Sequence, residues 1–158
     1  MAKTNLAEPW HSASECGPCA CSQLRRTARK LSSLYDGVLG TAGLTVTQHA
    51  LLVNIARAEK VSRTALAERL GMDRTTLTRN LQPLEKAKLV VTGASADRRE
   101  RLLTLSVEGR RKLRQSYALW ERAQQSFAAQ IGPGMLERFR ASLQAAEAAA
   151  EAVLSEER

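Results

Sequence analysis

Arginine and threonine side chains recur along one face of the segment from residue 74 to residue 79. At helical spacing Leu77 and Leu81 fall on the opposite face, which leaves the polar side chains outside. An arginine can hold N7 and O6 of guanine with two hydrogen bonds, and a threonine can bond a base edge or touch a thymine methyl group. The residues predicted to read or position the major groove of DNA are therefore Arg74, Thr75, Thr76, Thr78 and Arg79.

A second group of arginines lies in a polar, turn-rich stretch that follows. Arg98, Arg99 and Arg101 come directly after Asp97 or close to it. An arginine at the tip of a β-hairpin can enter the minor groove, where the potential of DNA is most negative. Asp97 is predicted to orient one of them through a bidentate pair. Either stretch alone is also consistent with a solvated surface, and their succession along the chain is what favours DNA.

Three cysteines lie within six residues, at Cys16, Cys19 and Cys21. A Cys-Gly-Pro-Cys tetrapeptide begins at Cys16, as in thioredoxins, although there it follows a buried strand and here it follows a polar arm. The three thiols, with His11, are also candidate ligands of a soft metal such as Zn(II) or Cu(I). A buried cysteine can equally be a small apolar side chain. The sequence leaves oxidoreductase, redox-sensing, metal-binding and structural roles open.

The net charge of +8 is concentrated in the middle of the chain. Residues 62–115 hold thirteen Lys and Arg against six Asp and Glu, residues 1–61 hold seven against four, and residues 116–158 hold four against six. The middle third thus carries +7, which favours a polyanionic partner. Charge alone does not choose between DNA, RNA and an acidic membrane.

Hydrophobic spacing predicts the elements that must hold these side chains. An apolar stripe over residues 24–38 predicts a first helix that Gly40 and Gly43 end. Thr45, followed by Gln48 three residues later, predicts a capping box at the start of a second helix.

Two short helices are then predicted in quick succession, at residues 63–70 and about 74–87. Ser62 and Asp73 are their predicted caps. Pro83 lies inside the second pattern and is expected to kink the helix or end it early. Small and apolar residues at the crossing make this pair a predicted helix-turn-helix.

The period changes after the helix pair. Apolar runs at residues 89–91 and 102–105 flank the polar stretch 93–100 and predict a β-hairpin. Beyond it the chain is helical again and is broken at Gly132-Pro133-Gly134. Apolar residues over 136–153 then alternate at spacings of three and four, as in a coiled-coil seam. A chain of this size has few other elements that could cover this stripe. A homodimer is therefore expected.

The predicted architecture is mainly α-helical, with a small β-hairpin as the wing of a winged helix-turn-helix. Residues 1–15 are expected to form a flexible arm and residues 16–158 a single domain. Within that domain, about 45–105 is the predicted DNA-binding lobe, and 16–42 and 106–156 are the predicted dimerisation helices.

Neither an enzyme nor a membrane protein is predicted. The chain has two histidines and no Ser-His-Asp set, phosphate loop or paired acid and base, so no catalytic residue and no required cofactor is expected. No apolar run has the length of a bilayer span, and residues 1–15 lack the apolar core of a leader. The expected location is the cytoplasm, with no membrane partner.

These motifs, in this order, resemble the MarR family of multiple antibiotic resistance regulators. The similarity extends from about Leu24 to Val153 and is most specific at residues 66–70, 75–79, 84–85, 97–99 and 105–109. It implies a six-helix winged-helix homodimer on a pseudo-palindromic double-stranded operator. It also implies a repressor released by a small, often phenolic or hydrophobic effector, bound between the dimer interface and the DNA-binding lobe.

The resemblance also bears on individual residues. His49 and Trp120 are expected to be packing residues, and with Tyr35 they are also candidate residues of the effector pocket. Cys21 resembles the peroxide-reactive cysteine of organic hydroperoxide regulators, and Tyr35 resembles its tyrosine partner. Val46, however, replaces a second expected tyrosine. Thr92-Gly93 also departs from the family pattern, which often has arginine or another charged residue at the first strand of the wing.

Overall fold

The computed structural model describes residues 19–94 and 101–156 of the 158-residue chain. The elements of these residues, in chain order, are α1 (Ala20–Leu39), a 3-10 turn (Gly40–Ala42), α2 (Val46–Ala58), β1 (Val61–Ser62), α3 (Arg63–Arg69), α4 (Arg74–Lys86), β2 (Val90–Ala94), β3 (Arg101–Leu105), α5 (Val107–Ile131) and α6 (Met135–Glu156). The chain divides into two compact units, Met1–Ser33 and Leu34–Arg158, and each is described by itself. Within the described ranges, no single helix has the length and hydropathy of a membrane span.

The boundary between α1 and α2 lies where the sequence predicts it. Gly43 has a φ of 68°, in the left-handed region that glycine adopts without steric cost. The Thr45 hydroxyl accepts a hydrogen bond from the Gln48 backbone, and the Gln48 side chain accepts one from the Thr45 backbone. The predicted capping box is confirmed, and it starts α2 at a defined residue.

Helices α3 and α4 form the predicted helix-turn-helix. Ser62 caps α3 and Asp73 caps α4, each through its side-chain oxygen. Gly71 takes a φ of 58° in the turn between them. Pro83 does not end α4 early, because α4 continues to Lys86. Only three residues of α4 follow Pro83. The proline lacks an N–H group, so one backbone hydrogen bond is missing near the end of the helix.

The three strands form an antiparallel sheet in the order β1-β3-β2, in which β1 precedes the helix pair and β2 and β3 follow it. The register pairs Val90 with Leu105 and Ala94 with Arg101, so the predicted hairpin is confirmed. On its other edge β3 pairs with β1, where Val61 lies opposite Leu103. Two residues are too few to show a period, so β1 was not predicted. Its pairing attaches the start of α3 to the base of the hairpin.

One hydrophobic core holds the helix-turn-helix, the sheet and α2 together. Its members come from every element between Leu44 and Leu105, and each burial of a leucine or similar side chain contributes about 1.5–3 kcal/mol. The buried set is Leu44, Leu51, Leu52, Ile55, Val61, Leu66, Ala67, Leu77, Leu81, Leu84, Leu89, Val90, Leu103 and Leu105.

Helix α6 contributes nothing to this core. It has no buried residue, and Leu143, Val153 and Leu154 expose 36%, 56% and 59% of their surface. The break at Gly132-Pro133-Gly134 is confirmed, and an edge-to-face contact between Phe127 and Phe139 packs α6 against α5. The part of the predicted apolar stripe that follows Phe139 is therefore exposed in the single chain.

The first turn of α5 is joined to the start of the hairpin by a close backbone approach. Ser106 donates its backbone N–H to the Leu89 carbonyl and its hydroxyl to the Lys88 carbonyl. The same hydroxyl accepts from the Gly109 N–H and caps α5. A Cβ atom at Gly109 would overlap the Leu89 carbonyl. Only glycine lets α5 pack this closely on the lobe.

We expect Gly109→Ala to lower the free energy of unfolding by about 2–3 kcal/mol, because the added methyl group meets backbone atoms that cannot rotate away. Urea unfolding followed by circular dichroism measures the change. Gly37→Ala is the matched control: Gly37 is helical with nothing near its Cβ position, so this variant should gain about 0.5–1 kcal/mol. Equal stability of Gly109→Ala and wild type would contradict the packing described.

Candidate nucleic-acid interface and ligand cavity

Helix α4 has one buried face and one polar, exposed face. Leu77, Leu81 and Leu84 are at most 2% exposed and fix the helix on the core. The structure places four of the five predicted DNA-facing residues in the open on its N-terminal half: Arg74, Thr75, Thr78 and Arg79. The core thus holds α4 rigidly while its polar face stays free for a partner.

Thr76 has a different position from the other four. It is half-buried, and its backbone N–H and hydroxyl both donate to the Asp73 carboxylate, at 2.8 and 2.7 Å. The hydroxyl bond from Thr76 is the main reason why the pKa of Asp73 is lowered, and the backbone N–H adds to it. Thr76 therefore stabilises the cap that starts α4.

A carboxylate joins α3, α4 and the hairpin. Glu85 of α4 accepts a hydrogen bond from Arg63 Nη2 at 2.6 Å, and its same oxygen accepts one from the Thr92 hydroxyl at 3.1 Å. No motif in the sequence marks Arg63 as a partner of Glu85. A contact between residues 22 positions apart leaves no local pattern in the sequence.

The wing is described at its base and not at its tip. Arg101 begins β3 and is exposed. The predicted tip residues Asp97, Arg98 and Arg99 lie outside the described residues, so their role remains a prediction. The register of β2 and β3 nevertheless sets the direction in which the hairpin leaves the lobe.

A cavity of about 260 Å³ lies between α2 and α5. Two of the three residues predicted for an effector pocket, His49 and Trp120, line it. Their rings stack with centroids 6.1 Å apart and planes 20° from parallel, and the Tyr117 ring centroid lies 5.5 Å from that of Trp120. The complete lining is Val46, His49, Ala50, Val53, Asn54, Arg57, Tyr117 and Trp120.

His49 is buried, and its hydrogen bonds define its tautomer. Nδ1 lies 3.0 Å from the Ser116 hydroxyl oxygen, and that hydroxyl donates to the Leu113 carbonyl at 3.1 Å. A hydroxyl has one hydrogen, so when Ser116 donates it to Leu113, Nδ1 is the protonated nitrogen that donates to Ser116. In that tautomer Nε2 is an acceptor. Burial lowers the pKa of His49, so the ring stays neutral near pH 7.

Tyr35, the third predicted pocket residue, is not part of the lining of this cavity. Its hydroxyl donates to the Gln124 side chain on α5 at 2.6 Å, and burial raises the pKa of Tyr35. Next to it, Asp36 accepts a hydrogen bond from the Val46 backbone at 2.6 Å. The two side chains tie the end of α1 to α5 and α2.

Two of the three cysteines lie within the described residues. Cys19 and Cys21 are free thiols at the exposed start of α1. The backbone N–H of Ser22 and then its hydroxyl lower the pKa of Cys19. Cys16 and His11 lie outside the described residues. Over the ranges 19–94 and 101–156, no group of three His, Cys, Asp or Glu side chains could hold a metal ion.

Comparison with known proteins gives a consistent set of similarities. A MarR family model matches residues 42–100. A crystal structure of the M. tuberculosis transcriptional regulator MosR in complex with DNA is 38% identical, covering 86% of this chain and 98% of that chain, with a TM-score of 0.77. A comparison with curated protein sequences found no significant match.

Two more distant structures share the fold. Bordetella bronchiseptica BpsR, studied for regulation of its DNA binding by 6-hydroxynicotinic acid, is 22% identical over 88% of this chain and 97% of that chain, with a TM-score of 0.75. A cysteine-to-serine mutant of E. coli MarR, in complex with operator DNA, is 20% identical over 80% of this chain and 91% of that chain, with a TM-score of 0.73.

We expect the free energy of unfolding to fall as the pH drops below about 6.5, where the unfolded chain protonates His49 more readily than the folded chain does. Burial is the cause, because it disfavours the charged form of the ring. Urea unfolding between pH 7.5 and 5 measures the trend. His49→Gln should show a weaker decline, and parallel curves for the two proteins would contradict a buried neutral histidine.

Proposed function

Because the chain belongs to the MarR family, we propose that it is a sequence-specific repressor of transcription that reads its operator with α4. The observation that carries this proposal is the polar outer face of α4 above a rigid leucine-packed inner face. Arg74, Thr75, Thr78 and Arg79 bind base edges and phosphates in the major groove. The protein acts in the cytoplasm as a regulator and not as an enzyme.

The wing completes the interface in this proposal. Arg101 is exposed at the foot of the hairpin. Arg98 and Arg99 enter the minor groove, oriented by Asp97. MosR, the 38% identical structure, was crystallised with DNA, which supports the same use of this fold here.

A homodimer is the second part of the proposal. Beyond Phe139, the apolar residues of α6 are uncovered among the described residues, and Leu143, Val153 and Leu154 are exposed. A patch of this kind marks an interaction surface. A second copy of the chain covers it, and the resulting twofold symmetry matches a pseudo-palindromic operator with half-sites about one helical turn apart.

The third part is control by a small aromatic acid bound in the α2–α5 cavity. Trp120 and Tyr117 offer ring faces, His49 Nε2 accepts a hydrogen bond, and Arg57 supplies positive charge. A hydroxylated aromatic carboxylate matches all three. The regulation of BpsR by 6-hydroxynicotinic acid supports this class of effector. Since the cavity separates a helix of the lobe from α5, its occupant alters their spacing and releases DNA.

Thiol oxidation is the alternative form of control, and one observation favours it. Cys19 and Cys21 are exposed, and the pKa of Cys19 is lowered by hydrogen bonds from Ser22. A thiolate reacts with peroxides faster than a thiol does. In this form the trigger lies at the start of α1 and not in the cavity.

We expect Arg99→Ala to weaken operator binding and to reduce the slope of log affinity against log salt by about 0.9 for each wing that loses a phosphate contact. Gel shifts between about 50 and 200 mM salt, with a duplex selected from random sequences by the wild-type protein, measure both quantities. Arg122→Ala removes the same charge from an exposed position of α5 and is the matched control away from the lobe. An unchanged affinity and slope would remove the wing from the interface.

We expect aromatic acids to quench the fluorescence of Trp120 and to release the operator. The chain has two tryptophans, so Trp10→Phe leaves Trp120 as the reporter of the cavity. In that background Arg57→Gln should weaken 6-hydroxynicotinic acid binding about tenfold through loss of a charged hydrogen bond, while Tyr35→Phe, outside the lining, should not. Release by peroxide that Cys19→Ser abolishes, without release by any acid, would assign control to the thiols instead.

A further inference from the structure

A second concave site lies in the DNA-binding lobe, away from the effector cavity. It is a groove of about 320 Å³ between α3 and the start of α4. Two guanidinium groups and two hydroxyls line it, together with one leucine side chain, and none of the lining residues is acidic. These residues are Arg63, Thr64, Arg74, Leu77 and Thr78.

A salt bridge fixes the position of the Arg63 side chain at the edge of this groove. Its Nη2 atom donates to Glu85 at 2.6 Å, and its side chain remains 40% exposed. A guanidinium has five N–H donors in a rigid fork, so those not directed at Glu85 remain for another acceptor. Glu85 itself is also bonded to Thr92 of the hairpin. One carboxylate therefore fixes Arg63 relative to both α4 and the wing.

We propose that the groove between α3 and α4 binds one phosphate of the operator backbone, with Arg63 as the oriented donor and Glu85 as the residue that positions it. The inference rests on the proposed DNA binding, and it adds a site that neither the recognition residues nor the wing includes. A phosphodiester matches the groove in charge, in size and in its need for several donors. The hydroxyls of Thr64 and Thr78 are further donors along the same groove.

The position of the groove favours a phosphate over a free anion. Thr78 and Arg74 belong both to the groove and to the exposed face of α4. A duplex whose major groove receives that face must bring its backbone alongside the same residues. The site also compensates for the lack of a charged residue at position 92 of the wing, where the Thr92 hydroxyl donates to Glu85.

The Glu85 carboxylate has two opposite effects on DNA binding. It cancels part of the positive charge of Arg63, which weakens attraction to any duplex. It also removes the need to order the arginine when DNA arrives, which favours the one register in which a phosphate meets the fixed donors. Glu85 thus lowers non-specific affinity and raises specificity.

Charge and geometry can be separated with a pair of substitutions. Arg63→Gln removes the donor, and the double variant Arg63→Gln/Glu85→Gln removes the donor while restoring the net charge of the wild type. We expect both to bind the selected operator about tenfold more weakly than wild type, since each loses a charged hydrogen bond. Recovery of wild-type affinity by the double variant would overturn the proposed site. In that case the change in net charge alone would explain the weaker binding of Arg63→Gln.

The salt dependence gives a second readout. Arg63→Gln should lower the slope of log affinity against log salt by about 0.9 for each half-site occupied. Arg63→Lys should keep the slope near that of wild type. Arg122→Gln, an exposed arginine of α5, loses the same charge away from the groove and should leave the slope unchanged. Equal slopes for wild type and Arg63→Gln would also overturn the proposal.

Glu85→Gln tests the positioning role. It adds one positive charge, so binding to a random duplex should tighten, while the ratio of operator affinity to random-duplex affinity should fall about threefold or more. A merely structural ion pair would instead lower both affinities together with the melting temperature. That result, or an unchanged ratio, would exclude Glu85 as a positioning residue.

Chemical substitution of single DNA phosphates locates the phosphate that the groove binds. Single methylphosphonates, which are uncharged, replace each phosphate of the operator in turn. One position per half-site should weaken binding by wild type and have no effect on binding by Arg63→Gln. Identical profiles for the two proteins would overturn the assignment, while a wild-type gel shift of the unmodified operator would show that DNA binding itself still stands.

Discussion

The carbonyl group of Leu89 lies directly against the first turn of α5, and the packing of α5 on the lobe depends on this contact. Gly109 makes it possible because any side chain would overlap that carbonyl. Ser106 reinforces it by bonding Leu89 and Lys88 on one side and capping α5 on the other. The first turn of α5 and the start of the hairpin are thus packed backbone to backbone, with no side chain between them.

The α2–α5 cavity borders the same helix, α5, further along the chain. His49 of α2 is bonded to Ser116 of α5, and its ring stacks on Trp120 of the same helix. Both contacts join the two helices that line the cavity. Under the proposed control, an effector bound there competes with these contacts or reinforces them. The neutral state of His49 matters here because a protonated ring would lose its acceptor at Nε2. Under the proposed control, the cavity therefore responds both to the hydrogen-bonding groups of an effector and to acid.

The positive charges of the lobe differ in how firmly the fold holds them. The positive excess falls in the middle third of the chain, yet its members have different roles. Arg63 is held by a carboxylate, whereas Arg74 and Arg79 project from the exposed face of α4. In the proposed interface, the fixed arginine favours one register on DNA, and the two exposed arginines supply attraction over a wider range. The proposed affinity and specificity therefore have separate structural sources.

The sequence by itself determined the order of elements, the caps at Thr45, Ser62 and Asp73, the hairpin and the polar face of α4, because each depends on residues a few positions apart. Only the tertiary structure decided that Arg63 meets Glu85 and that His49 meets Ser116, since these partners are 22 and 67 residues apart. It likewise showed that Thr76 belongs to a cap and that Tyr35 bonds Gln124 outside the cavity lining. Local periodicity reports which face is buried, whereas chemistry between distant side chains depends on how the faces meet.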